Sequence, residues 1–169
     1  MANKKIKIAV VGVGNCAVSL IEGISFYKNF PGNGSRGSKR NDDILGLMNY
    51  KVNDYRPEDI EVVVAFDIDK RKVGKRLDIA LRAKPNCTFS LFPNLPKIDV
   101  TVQMGPPLDG FSEHMKSHPE DRTFVLSKEK PVDVEKVLRE SGAEILLNYL
   151  PVGSEKAARY YAEACLKTG

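Results

Sequence analysis

Two glycines one residue apart, with a small residue shortly after, stand in Gly12-Val13-Gly14-Asn15-Cys16-Ala17. In this spacing the first glycine permits a tight turn, the second lets a diphosphate approach the backbone, and Ala17 packs a helix close against a strand. A helix opening near Asn15 aims its free N–H groups and the positive end of its dipole at the same point. The acid that completes such a site is Asp67, where a carboxylate at a strand tip accepts hydrogen bonds from ribose hydroxyls and repels the extra phosphate of NADP. NAD is therefore the expected cofactor. Asp67 follows Gly14 by about 50 residues rather than the roughly 20 usual for this motif, and residues 29–59 must hold the surplus. The run Lys70-Arg71-Lys72 keeps NADP as the minority alternative; the plainer reading is a solvated helix face.

Two further segments fall where a cofactor's nicotinamide end belongs. Asn148-Tyr149-Leu150-Pro151-Val152-Gly153-Ser154 leaves a strand with backbone groups freed by proline and glycine, or is a simple strand-to-helix connection. Gly105-Pro106-Pro107-Leu108-Asp109-Gly110 either shapes the nicotinamide ribose pocket, forms a lid over it, or is only a turn. Cys16 sits beside a helix N-terminus, which favours thiolate, but a small space-filler under the cofactor is the commoner role. His114 and His118, the only histidines, lie in a polar stretch and read as surface residues, as do Lys128 and Lys130. No acid, base or nucleophile is set up for catalysis.

The elements that must position these residues follow from periodicity. Ile6-Lys7-Ile8-Ala9-Val10-Val11 is a strand, and Ala17, Leu20, Ile21 and Ile24 recur at helical spacing over residues 15–28. Residues 29–59 read as an insertion of loop composition, with apolar content only at residues 44–48. Residues 60–66 form a second strand, 69–81 a helix, and 98–102 a third strand. Pro131 marks a helix start and Gly142 its stop, followed by a strand over 144–149 and a last helix over 155–167. Strands alternating with helices predict an α/β fold, a Rossmann-type doubly wound parallel sheet occupying residues 1–169 as one domain, with the ligand beyond the carboxyl ends of the strands.

Composition narrows the class. With 42% hydrophobic and 28% charged residues, the chain has the profile of a folded domain. The net charge of +4 is spread out, which argues against a nucleic-acid partner. No segment has the ~20 apolar residues of a membrane span. Three scattered cysteines, Cys16, Cys87 and Cys165, suggest neither disulfides nor a metal site and fit a reducing cytoplasm.

The strings Val10-Val11-Gly12-Val13-Gly14-Asn15-Cys16-Ala17, Gly46-Leu47-Met48, Val64-Ala65-Phe66-Asp67-Ile68-Asp69, Lys72-Val73-Gly74, Gln103-Met104-Gly105-Pro106, Leu108-Asp109-Gly110 and Tyr149-Leu150-Pro151-Val152-Gly153-Ser154 occur in that order. Together they closely resemble the bacterial myo-inositol-1-phosphate synthases. The resemblance implies an NAD-dependent isomerase of inositol and phospholipid biosynthesis. Such enzymes convert glucose 6-phosphate to inositol phosphate by oxidation, enolisation, aldol closure and reduction with the same cofactor. Carried over by position, it implies Gly12, Gly14, Asn15, Cys16 and Ala17 at the pyrophosphate, Asp67 at the ribose, and Gly105 with Tyr149, Leu150, Pro151 and Val152 near the nicotinamide.

Members of that family are about twice as long as this single-domain-sized chain. Their catalytic lysines, phosphate-binding residues and tetramer-forming sheet lie beyond the part that matches, so the expectation is an NAD-binding portion without turnover of its own. Two alternatives stay open: part of an NAD-dependent sugar or amino-acid dehydrogenase, and a non-catalytic nucleotide-binding module.

Overall fold

In a computed structural model, residues 5–29 and 46–169 are described. Four strands, β1 (Ile6–Val11), β2 (Ile60–Asp67), β3 (Val102–Met104) and β4 (Ile145–Asn148), form one sheet in the order β3-β2-β1-β4. Every pairing is parallel. β1 is flanked on both edges, with Val11 opposite Phe66 on β2 and Asn148 on β4, so the three strand ends come together around it. A strand covered on both faces needs an unbroken apolar run rather than an alternating one. Ile8, Ala9, Val10 and Val11 supply that run and are all buried.

Helices cover both faces. On one, α1 (Asn15–Lys28) lays Ala17, Val18 and Ile21 against Ile8, Val10 and Ala65, with Leu77, Ala80 and Leu81 completing the core. On the other, α3 (Val134–Ser141) and α4 (Glu155–Thr168) place Val134, Leu138, Tyr161 and Ala164 against Ala9, Val11, Val64 and Phe66. Each fully buried aliphatic or aromatic side chain contributes about 1.5–3 kcal/mol, and these two clusters fix the doubly wound α/β arrangement. α3 begins where Asp133 accepts the N–H of Lys136 and ends at Gly142, whose φ of 64° is the left-handed conformation that favours glycine. No helix among the described residues is long and apolar enough to cross a membrane.

The helix expected over residues 69–81 shrinks to one turn, α2 (Leu77–Ala80). The Asp69 carboxylate draws in the N–H of Arg71, and Gly74 then turns left-handed with φ 75°. From there the backbone runs extended beside residues 100–102. Gly74 donates to the carbonyl of Val102, Leu77 donates to that of Val100, and Val102 donates to that of Lys75. Val100 and Thr101 are engaged in this pairing and Ile98 donates to the Asp78 carboxylate, and the third sheet strand starts at Val102 rather than at Ile98. Of the expected insertion, residues 30–45 lie outside the described residues, and so does part of the apolar stretch 44–48. Its later part packs Tyr50 inward and enters β2 through a 3-10 turn at Pro57–Asp59.

Candidate functional site

Gly12 leaves β1 with φ 89°, donates its N–H to the carbonyl of Phe66 at 2.9 Å, and passes under the loop that follows β4. A Cβ at this position would stand 2.7 Å from the carbonyl oxygen of Tyr149. Both the backbone conformation and the crossing therefore demand glycine. Gly14 caps α1 in extended conformation, and a Cβ built on it meets nothing within 4 Å. The turn is open to a ligand on that side. The N–H groups of Gly14, Asn15 and Cys16 donate to no group among the described residues, which is the provision a diphosphate requires. Ala17 is fully buried and does the packing expected of the third small residue. The Asn15 side chain is engaged elsewhere: its Oδ1 accepts from the Cys87 N–H at 2.9 Å and the Thr88 hydroxyl at 2.8 Å.

Asp67 ends β2 directly beside this turn. Its Oδ2 accepts the N–H of Val13 at 2.8 Å, and its Oδ1 accepts those of Ile68 at 2.7 Å and Asp69 at 2.8 Å. A carboxylate has about four acceptor positions, so three backbone bonds leave room for roughly one more. The same group thus shapes the turn and lines the crevice above it. Beneath, Lys72 is wholly buried. Its ammonium donates to the Val13 carbonyl at 2.8 Å and to Asn86 Oδ1 at 2.9 Å, and lies 3.7 Å from Asp67 Oδ2. Burial pulls this ammonium below its ordinary value, while Asp67 and Asp69 pull it back. The Asn86 amide also donates to the Val13 carbonyl, at 3.0 Å. Lys72 and Asn86, which sequence reasoning missed as parts of the site, hold Val13 from one side while Asp67 holds it from the other.

None of the three consecutive cations presents a free charge. Lys70 pairs with Glu120 at 3.2 Å. Arg71 bonds both carboxylate oxygens of Asp69 and the carbonyls of Glu120 and Thr123. Burial would raise the Asp69 carboxyl, but the hydrogen bonds from Arg71 and Val125 outweigh it and hold the group below its usual range.

A crevice opens at the carboxyl ends of the strands. Gly12, Gly14, Asp67, Tyr149, Leu150 and Pro151 all line it, so six of the residues singled out in the sequence meet in one place. Asn15 and Cys16 line a shallower groove that shares Tyr149. Gly105 is buried behind the crevice, and Val152 is fully exposed and not part of its lining. Burial lifts the Tyr149 phenol above its ordinary value. The loop after β3 is fixed rather than free. Asp109 accepts the N–H groups of Lys156 at 2.8 Å and Ala157 at 2.9 Å, capping α4 from 47 residues away and seating Pro106 and Pro107 as one wall. His114, His118, Lys128 and Lys130 are exposed, as expected, and none lines the crevice.

The strand order, the glycine turn and the carboxylate at the tip of β2 define a Rossmann-type α/β domain. Over its whole length the chain is 40% identical to an inositol-3-phosphate synthase of Corynebacterium glutamicum and covers 43% of that protein. It is 37% identical over 168 residues to the inositol-3-phosphate synthase of Mycobacterium tuberculosis, covering 42% of it. No family model matches. Among solved structures, that of Ari2 superposes with a TM-score of 0.75 at 29% identity, over 98% of this chain and 43% of the other. A myo-inositol-1-phosphate synthase-related protein from Thermotoga maritima superposes with a TM-score of 0.64 at 15% identity, over 97% of this chain and 44% of the other, which bears on the fold alone. The chain corresponds to an N-terminal portion of the inositol-3-phosphate synthase family and spans about two fifths of the length of the curated relatives it matches.

Proposed function

We propose that this chain is the NAD-binding part of an inositol-3-phosphate synthase, acting in the isomerisation of D-glucose 6-phosphate to 1D-myo-inositol 3-phosphate. The observation that carries the proposal is the crevice in which the glycine turn, Asp67 and residues 149–151 converge, with the amides of Gly14, Asn15 and Cys16 left undonated. Those amides hold the pyrophosphate. Asp67 offers its remaining acceptor position to a ribose hydroxyl. Residues 149–151, with the backbone near Val152 and Gly105, flank the nicotinamide half. When bound, NAD supplies reversible hydride acceptance, so that an oxidation early in the isomerisation is reversed at its end. The chain's own contribution is to bind and orient, and to exclude water with Val11, Phe66, Pro106, Pro107 and Leu150 around the site.

NAD is preferred over NADP because a second phosphate near Asp67 would meet a buried carboxylate and cations already paired. Calorimetric titration of the 169-residue chain with NAD, NADP and AMP tests the reading. The expected order is NAD bound at least about tenfold more tightly than NADP, a difference of about 1.4 kcal/mol, with AMP weaker than NAD. Absence of heat with all three ligands would overturn it. A reducing cytoplasmic setting belongs to the same proposal, supported by three cysteines that are all free thiols.

A further inference from the structure

Cys16 and Cys87 are far apart in sequence, yet both are exposed free thiols and both line the shallow groove beside the glycine turn. Asn15 brings them together. Its Oδ1 accepts the Cys87 N–H at 2.9 Å and the Thr88 hydroxyl at 2.8 Å, its Nδ2 donates to Cys87 Sγ at 3.7 Å, and its carbonyl accepts the Thr88 hydroxyl at 3.3 Å. These contacts hold residues 87–88 against the opening turn of α1, where Cys16 is the next residue. The loop is also braced on either side of them. The Asn86 amide donates to the Val13 carbonyl at 3.0 Å, and the buried Glu22 carboxylate accepts the Ser90 hydroxyl at 2.8 Å and the Leu91 N–H at 2.9 Å. Cys87 is thus presented to α1 by a fixed segment. A disulfide spans only about 4.4–6.8 Å between Cα atoms, so attachment through the side chain of the residue beside Cys16 is the kind of proximity it needs. Cys165, the third cysteine, packs half-buried against the core on the opposite face of the sheet.

We propose that Cys16 and Cys87 form an oxidant-sensitive dithiol site, joined by a reversible disulfide that restricts the groove beside the glycine turn. With hydrogen peroxide, one sulfur attacks a peroxide oxygen and the O–O bond breaks, giving a sulfenic acid and one water. The second thiol attacks that sulfur, the S–S bond forms, the S–O bond breaks, and a second water leaves. Two thiols and one peroxide become one disulfide and two waters, and dithiothreitol reverses the step by exchange. Disulfides of reducing compartments are characteristically transient and redox-sensing. The bridge crosses the first turn of α1 beside the undonated Cys16 amide, so the oxidised chain binds a dinucleotide more weakly. That consequence rests on the NAD reading above; the bridge itself does not. The 169-residue chain is treated with hydrogen peroxide, alkylated, and mapped by mass spectrometry. The expected result is an intact mass lower by two hydrogens, a tryptic peptide joining Cys16 to Cys87, alkylated Cys165, and return of all three thiols with dithiothreitol. Cys165→Ser forms the same joined peptide and Cys87→Ser does not. Cys16 and Cys87 that both alkylate after peroxide, or that appear only as separate sulfinic acids or in bonds between chains, overturn the inference. Calorimetry then compares bridged and reduced chain, with NAD binding expected to weaken at least about fivefold, the lower end of typical coupling between sites. Equal affinity overturns the proposed control of the site while the NAD reading stands. If the reduced chain binds no NAD, that reading and the control fall together, and the peptide map still decides the bridge.

Discussion

Lys72 fixes the form of the glycine turn from below. A fully buried ammonium is tolerated only because the Val13 carbonyl, Asn86 Oδ1 and the nearby Asp67 carboxylate surround it. Lys72→Met keeps most of the side chain's volume but leaves Asn86 Oδ1 without its donor and Asp67 without its cation. Removing one member of a buried charged set typically costs about 3–5 kcal/mol. Urea unfolding should show a loss of about 3 kcal/mol, and a loss below about 1 kcal/mol would mean that Asn86 alone suffices. From its sequence surroundings, Lys72 read as one of three cations on a solvated face. Nothing within a few residues of it announces burial, because its partners lie 14 and 59 positions away. Asp67, in contrast, was legible at the end of an apolar run; that it would brace the turn as well as line the crevice was not.

The stretch between β2 and β3 shows how an element's fate is settled by a neighbour. Its apolar residues Val73, Leu77 and Ala80 do face the core, so the pattern was informative, but the backbone between them pairs with residues 100–102 instead of coiling. Asp78 locks that arrangement. Its oxygens accept Arg76 Nε at 2.6 Å and the Ile98 N–H at 3.2 Å, and Arg76 also reaches the second oxygen at 2.8 Å. The Arg76 guanidinium, with help from the Ile98 amide, holds the Asp78 carboxyl at about 2 against an ordinary 3.8. With a depressed folded value, the unfolded chain takes up the proton first as acid is added. The pair's contribution to stability is therefore present above about pH 3.8 and disappears as pH falls toward about 2. Urea midpoints measured between about pH 5 and pH 2 should fall more steeply in wild type than in Asp78→Asn. Parallel curves would show that the carboxylate does not titrate with folding.

For the molecule as a whole, the crevice is defined by few ionisable groups. Among the described residues lining the crevice, the ionisable groups are Asp67, Tyr149 and Tyr161, and the carboxylate is already held by three backbone N–H groups. Among the described residues, this lining holds no carboxylate other than Asp67 and no histidine or lysine. The 169-residue chain, incubated with NAD and glucose 6-phosphate, should bind cofactor and form no inositol phosphate in a phosphate-release assay after product-specific hydrolysis. Measurable product would place catalytic groups inside this chain and overturn that expectation. The same measurement on a full-length relative serves as the positive control.

Local chemistry settled a good deal before any contact was known. The apolar runs of β1 and β2, the 14-residue span of α1 and the Gly142 stop are written in residues a few positions apart, because hydrogen bonds along a helix and the demands of a two-faced strand are short-range. Which groups meet across the fold was decided only by tertiary structure. Asp67 on Val13, Lys72 under the same turn, Asp109 on the start of α4 and Tyr161 over Gly105 all join segments that are 47 or more residues apart in sequence. Such pairings depend on how the sheet orders its strands and how closely two backbones cross, and no local pattern of residue types encodes either distance.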